Sequence, residues 1–311
     1  MIFSYHDFFQ QDHIDNKKMP DSDNQRRFII ETTNVRGVIT HLNASWRAMI
    51  QGRDYPDAVS HLLGQTAVAA SLLSSTLKFE GSLSIQIQDG QPLTLLVIQI
   101  DSDQHLRGMA KWSGDITSDD LNKLCDGAKL SIHVEQTNGQ RYQSIVELNH
   151  NSLAEALEAY FKQSEQLPTR LWIATDNDTA AGLLLQTLPT ESSDEELDAD
   201  AWNRATMLAD TVTNEELLTL PAEQLLHRLY HEEDLRLFSP NPIAFRCSCS
   251  RDRIATTLRS MGKTELESII EEQGQISINC NFCQQSYAFD PIDFEQLFVD
   301  GTSPNLPPRR H

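Results

Sequence analysis

The chain has 311 residues, enough for two domains, and an ordinary apolar content of 39%. Its 45 acidic against 25 basic residues give a formal charge of -20, which opposes nucleic-acid binding, and no apolar run approaches the roughly 18 residues of a membrane span. Five cysteines in such a chain do not make a disulfide scaffold.

The start, MIFSYHDFFQQDHIDNKKMP, lacks a basic stretch followed by an apolar one and so is no secretory signal; a cytoplasmic protein is the expectation. Met19 offers a second start, residues 1–18 have no assigned role, and residues 1–24 read as a flexible extension. Phe28 to Ile30 and Val35 to Ile39 read as strands broken by Asn34 and Gly37. Pro56 opens a helix to about Leu77 whose small and apolar residues predict burial on more than one face. Leu83, Ile85 and Ile87 alternate, Asp89-Gly90 turns, and Leu93 to Ile100 returns; Leu130 to Val134, Asn138-Gly139 and Tyr142 to Leu148 repeat the hairpin pattern. Ser152 with Glu155 forms a capping-box pattern ahead of Leu153, Ala156, Leu157, Tyr160 and Phe161. Leu171 to Ile173 is a short strand, and Gly182 to Leu188 is an apolar run closed by Pro189. Hairpins separated by helices, without a repeated βαβ pattern, predict an α+β domain over residues 25–190.

Composition then changes. Residues 191–234 hold 13 acids and two arginines, about half of the net charge. Thr213 with Glu216 forms a second capping box, and Pro221 opens a helix with Leu225, Leu226 and Leu229 on one face. Isolated helices of this length are marginal, so residues 191–244 read as a metastable helical linker that depends on docking. In residues 245–290, Ile254 to Met261 and Thr264 to Gln273 suit helices ended by Gly262 and Gly274, with short strands at Ile276 to Ile278 and Tyr287 to Phe289. Residues 291–311 read as a C-terminal tail.

Cys247, Cys249, Cys280 and Cys283 form two close pairs, the spacing of a closed four-thiolate zinc site that leaves no position for substrate water. The first pair stands among Arg246, Arg251 and Arg253, whose guanidinium groups are expected to favour thiolate and hence oxidation. That setting favours a reversible sensor over a structural zinc, with both open at this point. A zinc-dependent regulatory or nucleic-acid-binding protein and a thiol-disulfide oxidoreductase are the alternatives; the charge counts against the first and the missing βαβ context against the second. His227 and His231, four apart, lack the Glu that a zincin pattern needs after the first His and read as a solvated helix face, and Cys125 reads as a small core residue without a role in the switch.

Taken together, Asp54-Tyr55-Pro56, AASLLSSTLKF (69–79), LRGMA (106–110), YFKQSEQLPTR (160–170), AGLLLQTLP (181–189), LYHEED (229–234), FRCSCSR (245–251) and CNFC (280–283) resemble the redox-regulated thirty-three-kilodalton chaperonin family, heat shock protein thirty-three. The resemblance implies an ATP-independent holdase and no enzyme. It also implies one zinc ion per reduced chain on the four cysteines, and oxidation to Cys247–Cys249 and Cys280–Cys283 disulfides with loss of zinc. Unfolding of the linker, homodimerisation and capture of unfolding client proteins would follow.

Overall fold

The computed structural model describes residues 23–31, 33–77, 79–188, 198 and 200–299; the expected extension up to residue 22, the acidic residues 191–197 and the tail from residue 300 lie outside them. The chain divides into two compact units, residues 1–246 and 247–311.

Strands β1 (Asn24–Ile30) and β2 (Val35–Leu42) pair antiparallel, placing Phe28 opposite Gly37. A methyl group at Gly37 would lie 2.1 Å from the Phe28 ring, so packing requires glycine there. Helices α1 (Ala44–Ile50) and α2 (Asp57–Thr76) follow. Then come β3 (Gly81–Gln88), β4 (Gln91–Asp101), β5 (His105–Trp112), a helical turn α3 (Leu121–Leu124), β6 (Cys125–Asp126), β7 (Lys129–Gln136) and β8 (Arg141–Val146). The β3–β4 and β7–β8 hairpins are those expected. Strand β5 was not, because Arg107-Gly108 interrupts its alternation; Gly108 is needed since a methyl there would meet Ile98 Cδ1 at 2.3 Å.

Helix α4 (Leu153–Tyr160) runs into a wider π turn at Phe161–Glu165, and β9 (Thr169–Thr175) and β10 (Ala180–Thr187) join the first sheet, in the order β1-β2-β10-β9. The second sheet runs β5-β4-β3-β7-β8. Helix α2 packs against strands of both, which is why residues on nearly all its faces, among them Leu63, Ala67, Val68 and Leu72, are buried. No helix among the described residues is long and apolar enough to cross a membrane.

The described part of the expected linker forms α5 (Ala201–Ala209), α6 (Asn214–Thr219) and α7 (Ala222–Tyr230). These helices cover the other face of the first sheet: Leu217, Leu225, Leu226 and Leu229 share a core with Phe28, Ile39, Leu183 and Leu185. Polar ties reinforce that docking. His41 Nε2 meets the Leu217 carbonyl at 3.0 Å, Arg170 and Trp172 both donate to Asp210, and Arg26 pairs with Glu223. Short strands β11 (Leu235–Leu237) and β12 (Asn241–Pro242) then pair with β1, and β13 (Ala244–Phe245) runs parallel to β5. Residues 244–246 therefore belong to the larger unit, where Ala244 N and Arg246 N donate to Gln104 O and Leu106 O.

The smaller unit contains α8 (Arg251–Met261), α9 (Lys263–Gln273), the hairpin β14 (Ile276–Asn279) and β15 (Ser286–Phe289), and α10 (Pro291–Val299). Residues 291–299, counted from sequence with the tail, are helix: Pro291 fits a first helical position, and Phe294 and Leu297 are buried with Leu258, Leu266, Ile276 and Phe289.

Candidate metal and redox centre

Two local structures present the four cysteines. Cys247 and Cys249 lie in the segment leading into α8, where Ser250 caps the helix by accepting from Arg253 N at 3.3 Å. Arg253 Nη1 donates to Ser248 O at 2.7 Å and ties the first pair to that helix. Cys280 and Cys283 occupy the turn between β14 and β15, closed by Cys280 N to Gln285 O and Gln284 N to Cys280 O, both 2.9 Å. All four Sγ atoms lie within 4.8 Å of one another, with Cys247–Cys280 at 3.6 Å and Cys249–Cys283 at 3.3 Å. A zinc tetrahedron with Zn–S bonds of about 2.3 Å has S···S edges of about 3.8 Å. The donor set and its spacing fit that ion.

Electrostatics at the thiols differ from the expectation. Arg251 pairs with Asp293 at 2.6 Å, donates to Ala288 O at 2.7 Å and lies over the Phe289 ring, while Arg246 Nη1 meets His105 Nε2 at 3.2 Å. The nearby arginines are thus engaged elsewhere, and none is among the main causes of the shifts at Cys247, Cys280 or Cys283. Burial opposes ionisation of Cys280, but the backbone amides of Phe282 and Cys283, with the neighbouring thiols, donate to its sulfur and bring its pKa down to about 7. Burial pushes Cys283 up to about 12 and raises Cys247. Tyr287 Oη donates to Cys249 Sγ at 3.2 Å, a contact that spacing alone did not disclose; Tyr287 stands opposite Ile278 in the hairpin that carries the second pair.

The remaining candidates fall outside the cluster. His227 and His231 are exposed on α7 with ring centroids 6.0 Å apart. Asp101, Asp103 and His105 gather at the β4–β5 turn, where Asp101 Oδ1 accepts from the backbone N of Asp103 and His105, the ordinary work of a turn carboxylate. Cys125 is buried, and burial pushes its thiol up to about 12. In the folded protein iodoacetamide at pH 8 is expected to leave Cys125 unmodified, with alkylation only after denaturation; peptide mass mapping reads this, and native-state labelling would show that the site opens.

The family model described as Hsp33 protein matches residues 23–290. The chain belongs to the Hsp33 family. It is 44% identical over 293 residues to the 33 kDa chaperonin of Nitrosococcus oceani, covering 94% of this chain and 100% of that one. The 33 kDa chaperonin of Pseudomonas aeruginosa is likewise 44% identical, over 297 residues, with the same coverage. The crystal structure of the Hsp33 homologue of Thermotoga maritima shares the fold, with a TM-score of 0.74 at 20% identity over 88% of this chain and 97% of that one. The Hsp33 match ends at residue 290, so α10 lies beyond it.

Proposed function

We propose that this chain is an ATP-independent holdase, kept inactive while Cys247, Cys249, Cys280 and Cys283 hold one zinc ion and activated by oxidants. The observation that carries the reading is the convergence of four thiols in a unit with a small apolar core. When bound, zinc supplies a cross-link between the cysteine pairs that contributes on the order of 10–16 kcal/mol of apparent folding free energy. A unit near the lower size limit for unaided folding then depends on its ligands staying reduced.

In the proposed switch, Cys247–Cys249 and Cys280–Cys283 disulfides form. Two peroxide molecules accept the four electrons released by four thiolates, their O–O bonds break to give hydroxide, and the disulfide sulfurs no longer hold the ion. Pairing within each close pair matters. A bond such as Cys247–Cys280, across 33 positions, would restrict the unfolded chain by about 2 kcal/mol more than a local bond and so favour the closed unit. Local bonds leave the unit free to unfold. Cys247 follows directly on the edge of the larger unit, where the short strands β11, β12 and β13 and the buried Ile243 fasten the end of the linker. Release of these strands and of α5–α7 would uncover Phe28, Ile39, Leu183 and Leu185, an apolar sheet face suited to unfolding proteins. The oxidised form is proposed to be a homodimer acting in the cytoplasm on unfolding client proteins, with neither nucleic acid nor membrane as partner.

Native mass spectrometry of the reduced protein is expected to show one zinc per chain, lost on peroxide treatment. Light scattering of a heat-unfolding client is expected to fall only with oxidised protein. Zinc retained after full oxidation of both pairs would sink the switch, and equal suppression by the reduced form would mean a constitutive chaperone.

A further inference from the structure

The larger unit contains a polar cleft of 510 Å³ bounded by β1, β2, the last turn of α2 and the residues preceding β12. Arg27 of β1 and Arg36 of β2 line it from one face of the sheet, since Arg36 stands opposite Ile29, two residues beyond Arg27. No described acidic residue lines it, in a chain of net charge -20. Among the described residues Arg27 has no ion-pair partner; its guanidinium lies over the Phe238 ring, 5.7 Å from the centroid. Arg36 donates from Nε, at 3.2 Å, and from Nη2 to the neutral Gln186 Oε1. Burial lowers the Arg36 pKa, and repulsion from Arg27 lowers it further. Two like charges are therefore held together without a counter-charge.

The cleft also offers accessible polar side chains: Ser239 and Asn241 line it and are exposed. The C-terminus of a helix would ordinarily repel an anion. Here the two guanidinium groups offset that repulsion.

We propose that this cleft binds a phosphate group, either as the free ion or as the end of a small phosphate ester. Arg27 offers a forked pair of donors and Arg36 its Nη groups, its Nε edge being turned to Gln186, and the Ser239 hydroxyl donates to another oxygen. The Asn241 side-chain oxygen accepts from a protonated phosphate oxygen, which sulfate lacks at neutral pH. All its residues belong to the larger unit, and because Ser239 and Asn241 lie in the linker end that the proposed switch releases, the site belongs to the reduced form.

Isothermal titration of the reduced, zinc-loaded full chain with orthophosphate, adenosine monophosphate and sulfate, at constant ionic strength, tests this. Saturable binding at one site per chain is expected for orthophosphate or the ester, with sulfate at least tenfold weaker. The tighter of the first two identifies the source. Arg36→Gln and the more exposed Arg27→Gln, each checked by circular dichroism and zinc content, are expected to weaken binding at least tenfold. Arg141→Gln, at an exposed position on β8, should leave it unchanged. Lack of saturable binding, sulfate binding as tight as phosphate, or full affinity in folded Arg27→Gln would overturn the assignment.

Discussion

Cys280→Ser is expected to cost the smaller unit its fold. Its core among the described residues consists of Ala255, Leu258, Leu266, Ile276, Phe289, Phe294 and Leu297, too few to support a domain of this size alone. Zinc on four thiolates contributes on the order of 10–16 kcal/mol, whereas whole domains are stable by about 5–15 kcal/mol. Backbone amides also favour the thiolate at Cys280, so a serine hydroxyl there removes a ligand that ionises readily near neutral pH. Loss of stoichiometric zinc to a mild chelator is the expected result. Backbone amides of β14 and β15 should then exchange hydrogen at near-unfolded rates, read by mass spectrometry, while the sheets of the larger unit keep their protection. Stoichiometric zinc with unchanged exchange in that hairpin would show that three thiolates suffice.

The second large effect is expected from Leu225→Ala with Leu226→Ala. Both side chains are wholly buried between α7 and the first sheet. Each truncation costs about 2–5 kcal/mol, and as neighbours they will not add simply. Either loss rivals the stability available to short helices rich in carboxylates, so α5–α7 should detach while the rest of the larger unit stays folded. The reduced, zinc-loaded double variant is expected to suppress client aggregation without oxidant. Exchange over residues 201–230 should be fast and the zinc content unchanged. Fast exchange without chaperone activity would mean that the sheet face beneath these helices is not where clients bind.

Local chemistry made much of this architecture legible in the sequence. Alternation around Asp89-Gly90 and Asn138-Gly139 specified two hairpins, since both turn and pleat are properties of neighbouring residues. The capping residues held as well. Thr213 and Glu216 form the reciprocal box, and Ser152 accepts from Glu155 N, although the Glu155 carboxylate takes Asn151 N instead. The cysteine spacing led to four sulfurs that the fold brings within 4.8 Å, because close pairs on tight turns leave little freedom for their direction. Strand β5 and helix α10 were not among the expected elements; Gly108 in the former makes room for Ile98, and Pro291 begins the latter.

By itself, then, the sequence determined the cysteine pairs, the acidic segment and most of the helices and hairpins. Their causes are short-range: residue spacing, turn conformation, side-chain period and charge. Tertiary structure alone decided that α5–α7 cover the second face of the first sheet and that β13 pairs parallel with β5. It also decided that Arg251 turns to Asp293 instead of the thiols. Each of those outcomes depends on groups distant along the chain competing for the same surface or partner, and no local pattern records which of them wins.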